Sequence, residues 1–240
     1  MRVVSEKELN IPSIGQVFIR KKTGVKRISI VMRRQKSINV TIPYWANYSD
    51  GEKFLISKID WVKKGLERIS ALENKKPLIT NNTEINTLGR TIYIKPQFID
   101  KYRIVYLEEK IIVEYPVEAN IENLVVKKKI EELIKKASVK EAKVILTAKT
   151  EQLAQYYNFT IQNIKIGSPR TRWGSCSYRN NINLNYRLIY LSNELCNYVI
   201  MHELTHTIHK NHSKKFWDKL VEFMPNALEL NRELKNFCLL

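Results

Sequence analysis

The four histidines of this 240-residue chain all lie within one stretch of eleven residues, from His202 to His212. On a helix, His202 and His206 are one turn apart and project from the same face, so both imidazoles could bind one metal ion. Glu203 follows His202 directly and is turned by about 100° around the helix. Its carboxylate would lie beside the metal and could take a proton from a water that the metal activates. This is the HExxH arrangement of zinc hydrolases.

Two histidines compete for the third ligand position that a catalytic zinc usually has. His209 shares the face of His206, but on an unbroken helix it lies roughly 10 Å along the axis from His202. His212 follows Asn211, a residue type that tolerates the left-handed turn that ends a helix, and a break there would return His212 to the metal. The spacing to His212 equals the extended HExxHxxxxxH form, with His209 where a glycine is often found. The sequence therefore favours His212 over His209, and an ordinary amphipathic helix is the remaining alternative.

The chain carries a formal net charge of +17 at pH 7, from 41 lysine and arginine residues against 24 aspartate and glutamate residues. Such an excess attracts nucleic acid, anionic membrane surfaces or acidic proteins. The basic residues are scattered instead of forming one tail, which weakens the case for nucleic acid and fits a solvated lysine-rich surface equally well. Nucleic acid is therefore an alternative partner that the charge alone suggests.

The cysteines and the N-terminus indicate a protein of the cytoplasm. Three cysteines, Cys176, Cys196 and Cys238, are too few and too scattered for a disulfide framework, which suits a reducing compartment. The first residues lack the apolar core of a signal peptide, and no run approaches the roughly 18 apolar residues of a membrane helix. We therefore expect a cytoplasmic location and no membrane partner.

The pattern of residues 1–118 predicts a β-rich N-terminal region with one amphipathic helix. Residues 1–15 are expected to be a loose start. β-Branched runs then predict strands at 17–20, 27–32 and 37–43, with turns near Thr23-Gly24 and Arg34-Gln35. A break at Pro77 and Asn81-Asn82 precedes two hairpins, over 85–94 and 102–115. The region contains no histidine and no cysteine, so its function does not follow from its residues.

The one helix of this region begins at Ser49 or Asp50, either of which can cap it. Apolar residues repeat along it at helical spacing and form a single stripe: Leu55, Ile59, Val62, Leu66 and Ile69. The helix is therefore expected to pack on the sheet.

Residues 119–240 are expected to form a second, catalytic domain, unless the whole chain forms one compact unit. Two helices are predicted between Asn120 and Tyr157, followed by a strand at 161–166 and a period-two strand at 182–188. The histidine helix begins near Ser192 or Asn193. After His212, Ser213 can cap a last helix that breaks at Pro225.

Three segments of the C-terminal half resemble the YgjP-like metallopeptidase family, which is related to the SprT-like and WLM zinc proteases. The segments are TRWGSCS at 171–177, INLNYRL at 182–188 and NYVIMHELTHTIHKNHSKKFW at 197–217. Their order and spacing are more specific than HExxH alone. The resemblance is strong from about residue 161 to 217 and weak before it.

The resemblance implies an α+β fold in which a minimal zincin-like domain, with a small sheet, the HExxH helix and a following helix, comes after the β-rich region. It also implies one Zn²⁺ per chain, held by His202, His206 and His212, with Glu203 as the general base. The edge strand of such a domain lines the cleft and can pair with an extended substrate. Here that strand would be 182–188 or the adjacent segment 172–175.

Substrate binding is assigned to residues around these strands. The candidates are Arg172, Trp173, Gly174, Ser175, Tyr186 and Arg187. Three of them, Arg172, Tyr186 and Arg187, could stabilise the oxyanion of the transition state. Cys176 could reach the metal, but a small buried thiol is the simpler interpretation.

The expected function is that of a zinc metallopeptidase acting on proteins or peptides. One alternative is a nucleic-acid-associated protein, or a protease that acts on DNA-bound proteins through its basic surface. Another is a metal-binding scaffold without turnover, against which Glu203 argues, because a structural zinc site has no use for a base beside an open position.

Overall fold

The computed structural model describes residues 2–32, 37–74, 79–81 and 83–237. The chain divides into two compact units, Met1–Lys76 and Pro77–Leu240. This boundary differs from the predicted one at 118/119. The reason is that strands within 84–116 share a core with the long helix that follows them, in which Ile92, Ile111 and Ala137 are fully buried. The assignment of catalysis to 119–240 alone stays a prediction.

The first unit contains a four-stranded sheet in the order β1-β2-β4-β3, with β2 and β4 parallel. Its strands are β1 (Val3–Ile11), β2 (Gly15–Lys22), β3 (Ser29–Met32) and β4 (Ile38–Pro43). The three predicted strands are confirmed, but the expectation of a loose start over 1–15 is wrong, because β1 pairs antiparallel with β2 along its length. β1 is a largely exposed edge strand, so it lacks the buried alternation that signals a strand. The predicted turn at Arg34-Gln35 lies outside the described residues.

Two helices of the first unit, α1 (Tyr48–Ser57) and α2 (Ile59–Asn74), replace the single predicted helix. The chain interrupts the helix at Lys58 only, so the apolar stripe continues: Leu55 and Val62 are fully buried in the core beneath the sheet. The first helix begins slightly earlier than predicted, and the backbone N–H of Asn47 donates to the Asp50 carboxylate at 3.0 Å. The side chain of Ile69 lies outside the described residues, as do Pro77 and Asn82 of the predicted break.

The second unit begins with a four-stranded sheet in the order β5-β6-β8-β7, packed on one long helix. The strands are β5 (Glu84–Ile85), β6 (Thr91–Gln97), β7 (Arg103–Tyr106) and β8 (Lys110–Pro116). Both predicted hairpins are confirmed. The two helices predicted between Asn120 and Tyr157 are instead one helix of 33 residues, α3 (Leu124–Tyr156), which spans both the core under this sheet and the core of the next.

A three-stranded sheet and three helices complete the unit. They are β9 (Asn163–Gly167), β10 (Gly174–Cys176), β11 (Asn181–Asn185), α4 (Asn193–Thr205), α5 (Lys214–Phe223) and α6 (Ala227–Leu234). The sheet order is β10-β11-β9, so β10 is an edge and β11 is central. The chain is thus α+β with a small sheet beside the histidine helix. No helix in the described ranges is both long and apolar enough to cross a membrane.

The strand predicted over 182–188 ends earlier, at Asn185. Residues Tyr186–Tyr190 form a 3-10 helix, and the Asn185 side-chain oxygen caps it by accepting from the backbone N–H of Arg187 at 3.1 Å. Tyr186 and Leu188 alternate in the sequence as a strand would, but both are buried by the 3-10 turn against α3. The period-two pattern was therefore produced by two different elements.

An ion pair connects the turn before β6 to α3. Glu141 on α3 is 3% exposed, and it accepts hydrogen bonds from the backbone N–H of Arg90 at 3.0 Å and from the Arg90 guanidinium at 2.5 to 3.2 Å. Burial raises the pKa of the Glu141 carboxyl, but the hydrogen bonds and charge of Arg90 outweigh it and leave the pKa below its ordinary value of 4.5. The ionised pair therefore stabilises the folded state at neutral pH.

We predict that Glu141→Gln lowers the free energy of unfolding at pH 7 by about 2 to 3 kcal/mol, because charge-assisted hydrogen bonds to a buried group are lost. Since the folded pKa is depressed, this difference is fully present above pH 4.5 and shrinks as the pH falls through the folded value. Urea unfolding at pH 7 and pH 3.5 measures both. Glu122→Gln, which removes an exposed partner of Lys127, serves as the control and should change stability by less than about 0.5 kcal/mol. An equal loss at both pH values would contradict the account.

Candidate metal centre and active-site cleft

The histidine helix α4 starts and ends at local hydrogen bonds. The Ser192 hydroxyl accepts from the backbone N–H of Leu195 at 3.2 Å, which confirms the predicted start. The helix ends at Thr205, not at Asn211 as expected, and the Thr207 hydroxyl donates to the Leu204 carbonyl at 2.7 Å just beyond the end. Residues 206–213 all have negative φ, so the predicted left-handed turn does not occur. The chain nevertheless reverses, because the helix stops one turn after His202.

The reversal brings three imidazoles together. The Nε2 atom of His212 lies 2.9 Å from His202 Nε2 and 3.2 Å from His206 Nε2. One ring nitrogen of each of the three residues lies within 4.8 Å of the others, a grouping that could hold a metal ion. His209 is not part of this cluster. The structure thus brings together the three residues that the sequence favoured.

The surroundings of the histidines orient their rings. A carbonyl oxygen only accepts hydrogen bonds, so the Nδ1 atom of His206, 2.9 Å from the His209 carbonyl oxygen, must carry the proton. His206 Nε2 is then left with a lone pair that points at the cluster. The Tyr198 hydroxyl lies 3.5 Å from His202 Nδ1, and the Phe216 ring stacks on His206 with centroids 4.5 Å apart. His209 therefore orients the His206 ring through its backbone carbonyl.

The two helical histidines are neutral at pH 7. Burial lowers the pKa of His202 to about 3, and repulsion from His206 and His212 adds to this effect. Burial also lowers the pKa of His206, although the hydrogen bond to the His209 carbonyl opposes it. A neutral imidazole is the form that binds a metal.

Glu203 lies against the edge strand β10. Its side chain occupies the space where residue 174 would carry a Cβ, which would be 2.6 Å from Oε1, so Gly174 is what allows the approach. Burial raises the pKa of Glu203 to about 8, while the positive charge of Arg172 and the backbone N–H of Cys176 oppose the rise. Glu203 is 6% exposed, so its carboxyl group is poorly hydrated.

Asn185, which is fully buried, holds the segment that leads into β10. Its side-chain amide donates to the carbonyls of Pro169 at 2.9 Å and Arg172 at 3.1 Å. Its backbone N–H donates to the Trp173 carbonyl at 2.8 Å. One side chain therefore fixes the path of the chain before Gly174. The sequence gave no signal for this role beyond the period-two pattern.

A cleft of about 410 Å³ contains the three histidines and Glu203. Four of the six predicted substrate-binding residues line it: Arg172, Trp173, Gly174 and Ser175. Tyr186 and Arg187 do not, because Tyr186 is buried under the 3-10 turn and the Arg187 guanidinium lies over its ring.

Sequence reasoning missed several residues of the cleft. They are Tyr198, Val199, Lys210, Asn231 and Leu234. Tyr198 and Val199 precede His202 and Glu203 by one helical turn, so helical spacing could have identified them. Asn231 and Leu234 come from α6, and no motif in the sequence points to them.

Lys210 connects the loop at 206–213 (the ligand loop, named for the predicted ligands His206 and His212) to the turn between β10 and β11. Its ammonium donates to the Ser177 carbonyl at 3.1 Å and to the side-chain oxygen of Asn180. The same ammonium lies 3.9 Å from the Cys176 sulfur. Burial raises the pKa of the Cys176 thiol, although Lys210 opposes this, and Cys176 does not join the cluster of ligand atoms.

Of the other two cysteines, Cys196 is described and does not line the cleft. Burial raises the pKa of Cys196 to about 12, as expected of a thiol in the core. Cys238 lies outside the described residues.

A family model for the YgjP-like metallopeptidase domain matches residues 26–237. The chain belongs to the YgjP-like metallopeptidase family. Membership makes it a metal-dependent peptidase, and its substrates are proteins or peptides. The resemblance seen in the sequence is thus confirmed over nearly the whole chain.

Two solved structures are similar to part of this YgjP-like metallopeptidase. One is the metallopeptidase zymogen abylysin of Pyrococcus abyssi, with 20% identity, a TM-score of 0.35, and coverage of 38% of this chain and 94% of that chain. The other is the metallopeptidase zymogen jannalysin of Methanocaldococcus jannaschii, with 23% identity, a TM-score of 0.34, and the same two coverages, 38% and 94%. A comparison with curated proteins gives no match.

We predict that Gly174→Ala lowers the free energy of unfolding by about 1 to 3 kcal/mol, because the new methyl group must displace a buried side chain. The Cβ would lie 2.6, 2.7 and 2.9 Å from Oε1, Cγ and Cδ of Glu203. In a Glu203→Ala background the side-chain atoms that the new methyl group would meet are absent. Most of the loss in the free energy of unfolding should therefore disappear.

The measurement is a double-mutant cycle by urea unfolding of the metal-free protein. Gly167→Ala is the matched control, since its Cβ would make only an ordinary contact of 3.8 Å with Pro169. The same cost for Gly174→Ala with and without the Glu203 side chain would show that the two residues are not in contact.

Proposed function

We propose that this chain is a zinc metallopeptidase of the HExxHxxxxxH type, in which His202, His206 and His212 bind one Zn²⁺ and Glu203 is the general base. The observation that carries the proposal is the convergence of three Nε2 atoms, with separations of 2.9 and 3.2 Å from His212, in a cleft that Glu203 also lines. Family membership supports the metal-dependent reaction on a peptide bond.

The chemistry of the donors supports a cation at this point. A hydrogen atom on His212 Nε2 could bridge to the lone pair of His202 or of His206, but not to both, whereas a cation is attracted to all three nitrogens. Tetrahedral zinc with bonds of about 2.0–2.1 Å places its nitrogen ligands roughly 3.3 Å apart, close to the observed separations. Three imidazoles favour zinc over harder divalent ions.

When bound, zinc would lower the pKa of a water molecule and polarise the scissile carbonyl. Glu203 accepts the proton of the attacking water and passes it to the leaving amine. Burial raises the pKa of Glu203 to about 8 without metal, and a bound cation beside the carboxylate would lower it and favour the ionised form that accepts the proton. Arg172 holds a positive charge near the carboxylate, which favours the ionised form that accepts the proton.

The edge strand β10 is the element on which an extended substrate would lie. It pairs with β11 on one side only, and Gly174 on this strand contacts Glu203. A peptide that adds to β10 would therefore pass the general base. Of the three candidates for the oxyanion, Arg172 lines the cleft, so we assign that role to Arg172.

The predicted role with nucleic acid and the predicted cytoplasmic location rest on the amino-acid composition. A role with nucleic acid or DNA-bound proteins stays a prediction from the net charge of +17. The cytoplasmic location likewise stays a prediction. A scaffold without turnover would give no reason for Glu203 to be buried in the cleft, where the loss of hydration is costly.

We predict that Glu203→Gln retains one zinc per chain but lowers kcat by about 10²- to 10⁴-fold, because the proton acceptor is lost and the ligands are unchanged. His212→Ala should lose the zinc and the activity together. His209→Ala, in which the backbone carbonyl that orients His206 remains, is the matched control and should keep both.

Zinc content by mass spectrometry and cleavage of casein and a quenched-fluorescent peptide library test this set of variants. Full zinc retention in His212→Ala with loss in His209→Ala would overturn the ligand assignment. Wild-type activity in Glu203→Gln would overturn the assignment of the base, and zinc-loaded wild type that cleaves no peptide would overturn the peptidase proposal.

A further inference from the structure

One end of the sheet in the first unit collects cationic residues around a recess of about 510 Å³. Lys22 ends β2, Lys26 and Arg27 lie in the connection to β3, and all three line the recess. Ser29 and Thr41, which are paired across β3 and β4, add two hydroxyl groups to the lining. No acidic side chain lines the recess in the described part of the chain. This cationic recess therefore offers positive charge and hydroxyl donors to an anion.

Neighbouring carboxylates leave the charge of the cationic recess in place. The first unit contains 17 lysine and arginine residues against 7 aspartate and glutamate residues. Glu6 and Glu52 form ion pairs with Arg20 and Lys7, and the Asp50 carboxylate accepts from the backbone at the start of α1. No ion pair within the described ranges includes a cation of the recess. A positive potential thus remains at this end of the sheet and would attract a polyanion.

The start of the chain brings a fourth cationic residue, Arg2, to the same end of the sheet. The backbone N–H of Thr23 donates to the Arg2 carbonyl at 3.1 Å, and the backbone N–H of Arg2 donates to the Thr23 hydroxyl at 3.2 Å. Since Thr23 directly follows Lys22, the positive region extends from the recess to the exposed Arg2.

Two solvent-exposed aromatic residues border the cationic recess. Tyr44 and Trp45 follow β4 directly and are 58% and 68% exposed. The backbone N–H of Tyr44 donates to the Lys22 carbonyl at 3.1 Å, so this aromatic pair lies next to one cation of the recess. Tyrosine and tryptophan usually bury most of their large ring surface. Their exposure beside cations without ion pairs indicates a partner that has flat rings as well as negative charge.

Single-stranded nucleic acid has both features. Its phosphates bind lysine, arginine and hydroxyl groups, and its unpaired bases stack on aromatic side chains. A duplex offers the phosphates but keeps its bases stacked on one another, which would leave Tyr44 and Trp45 without a partner. An anionic membrane also attracts lysine and aromatic side chains, but its surface is broad, whereas the recess is concave and has hydroxyl groups in its lining. The shape and the lining therefore favour a flexible strand.

We propose that the cationic recess and the adjacent Tyr44-Trp45 pair form a binding site for single-stranded nucleic acid. The recess binds phosphate groups, and Trp45 stacks on a base. This inference goes beyond the proposed peptidase function and does not rest on it, because these residues belong to the first unit and the proposed metal ligands belong to the second.

The test measures the binding of fluorescein-labelled strands of about 12 nucleotides to the full chain by fluorescence anisotropy, at about 50 and 200 mM salt. The strands are DNA, RNA and an abasic DNA strand of the same length and charge. We expect DNA or RNA to bind at least about 10-fold more tightly than the abasic strand, because only strands with bases can stack. The tighter of the two identifies the polymer that the site prefers.

A triple variant with Lys22→Gln, Lys26→Gln and Arg27→Gln tests the recess. At about 50 mM salt it should bind at least about 10-fold more weakly than wild type. The slope of log Kd against log salt should fall by about 2, since each neutralised phosphate of a single strand contributes about 0.7. The matched control replaces three exposed lysines of the same unit that do not line the recess: Lys58, Lys63 and Lys64. It should stay within about threefold of wild type, and equal weakening by both triple variants would overturn the site.

Trp45→Ala tests the stacking and should weaken binding about 10-fold while leaving the salt slope unchanged, because stacking releases no counterions. Trp45→Phe, which keeps a ring, should restore most of the affinity, and partial unfolding would not produce that rescue. Trp61→Ala is the matched control, because Trp61 is also exposed but lies on α2, where Gly65 is beside Met32 at the other end of β3. It should bind like wild type. Unchanged affinity in Trp45→Ala would overturn the assignment.

Vesicles that contain phosphatidylserine test the competing membrane partner by cosedimentation. Vesicle binding without binding of either base-bearing strand would overturn the inference, as would equal affinity for the abasic and base-bearing strands. Base-dependent binding that the recess variant loses supports the site. Because the measurement is binding of a strand, a chain that cleaves no peptide would overturn the peptidase proposal and leave this inference intact.

Discussion

The site depends on one geometric constraint, which is that three imidazole nitrogens must meet at separations of 2.9 and 3.2 Å although only two of them can come from one helix. The chain meets this constraint by ending α4 at Thr205 and reversing over residues 206–213. The His209 carbonyl orients His206 within the reversal, and Lys210 attaches it to the turn after β10. The third histidine, His212, is itself exposed, and its ring packs on Phe216 with centroids 4.9 Å apart.

The edge strand β10, which precedes this turn, also contacts Glu203. Gly174 leaves room for the Glu203 carboxylate, and the next residue but one donates its N–H to it. Asn185, at the end of the neighbouring strand β11, holds the segment before β10. The proposed base, the proposed substrate strand and the ligand loop therefore form one connected group of residues. A substitution in β10 should affect the position of all three.

The sequence predicted what depends on local spacing. The HExxH pair, the cap at Ser192 and the preference for His212 over His209 follow from helical geometry and from the number of ligands that zinc takes. The mechanism of the reversal was predicted incorrectly, because the helix ends through hydroxyl and carbonyl contacts near Thr205 and not through a left-handed residue at Asn211. The clustering of the three histidines did not depend on that detail.

What the sequence did not predict depends on contacts between distant segments. The period-two run at 182–188 contains a central strand and a buried 3-10 turn, and Tyr186 and Arg187 do not line the cleft that they were assigned to. The position of α6 beside α4 follows from packing in a shared core and from Asn226, which no spacing rule reveals. β1 was missed because an exposed edge strand needs no apolar alternation.

The central claim is that three histidines and no sulfur hold the metal. X-ray absorption at the zinc edge of the zinc-loaded full chain tests it most directly. The account predicts a first shell of nitrogen and oxygen at about 2.0–2.1 Å with the outer-shell scattering of three imidazoles. A sulfur shell at about 2.3 Å, which would implicate Cys176, or scattering from only two imidazoles would contradict it.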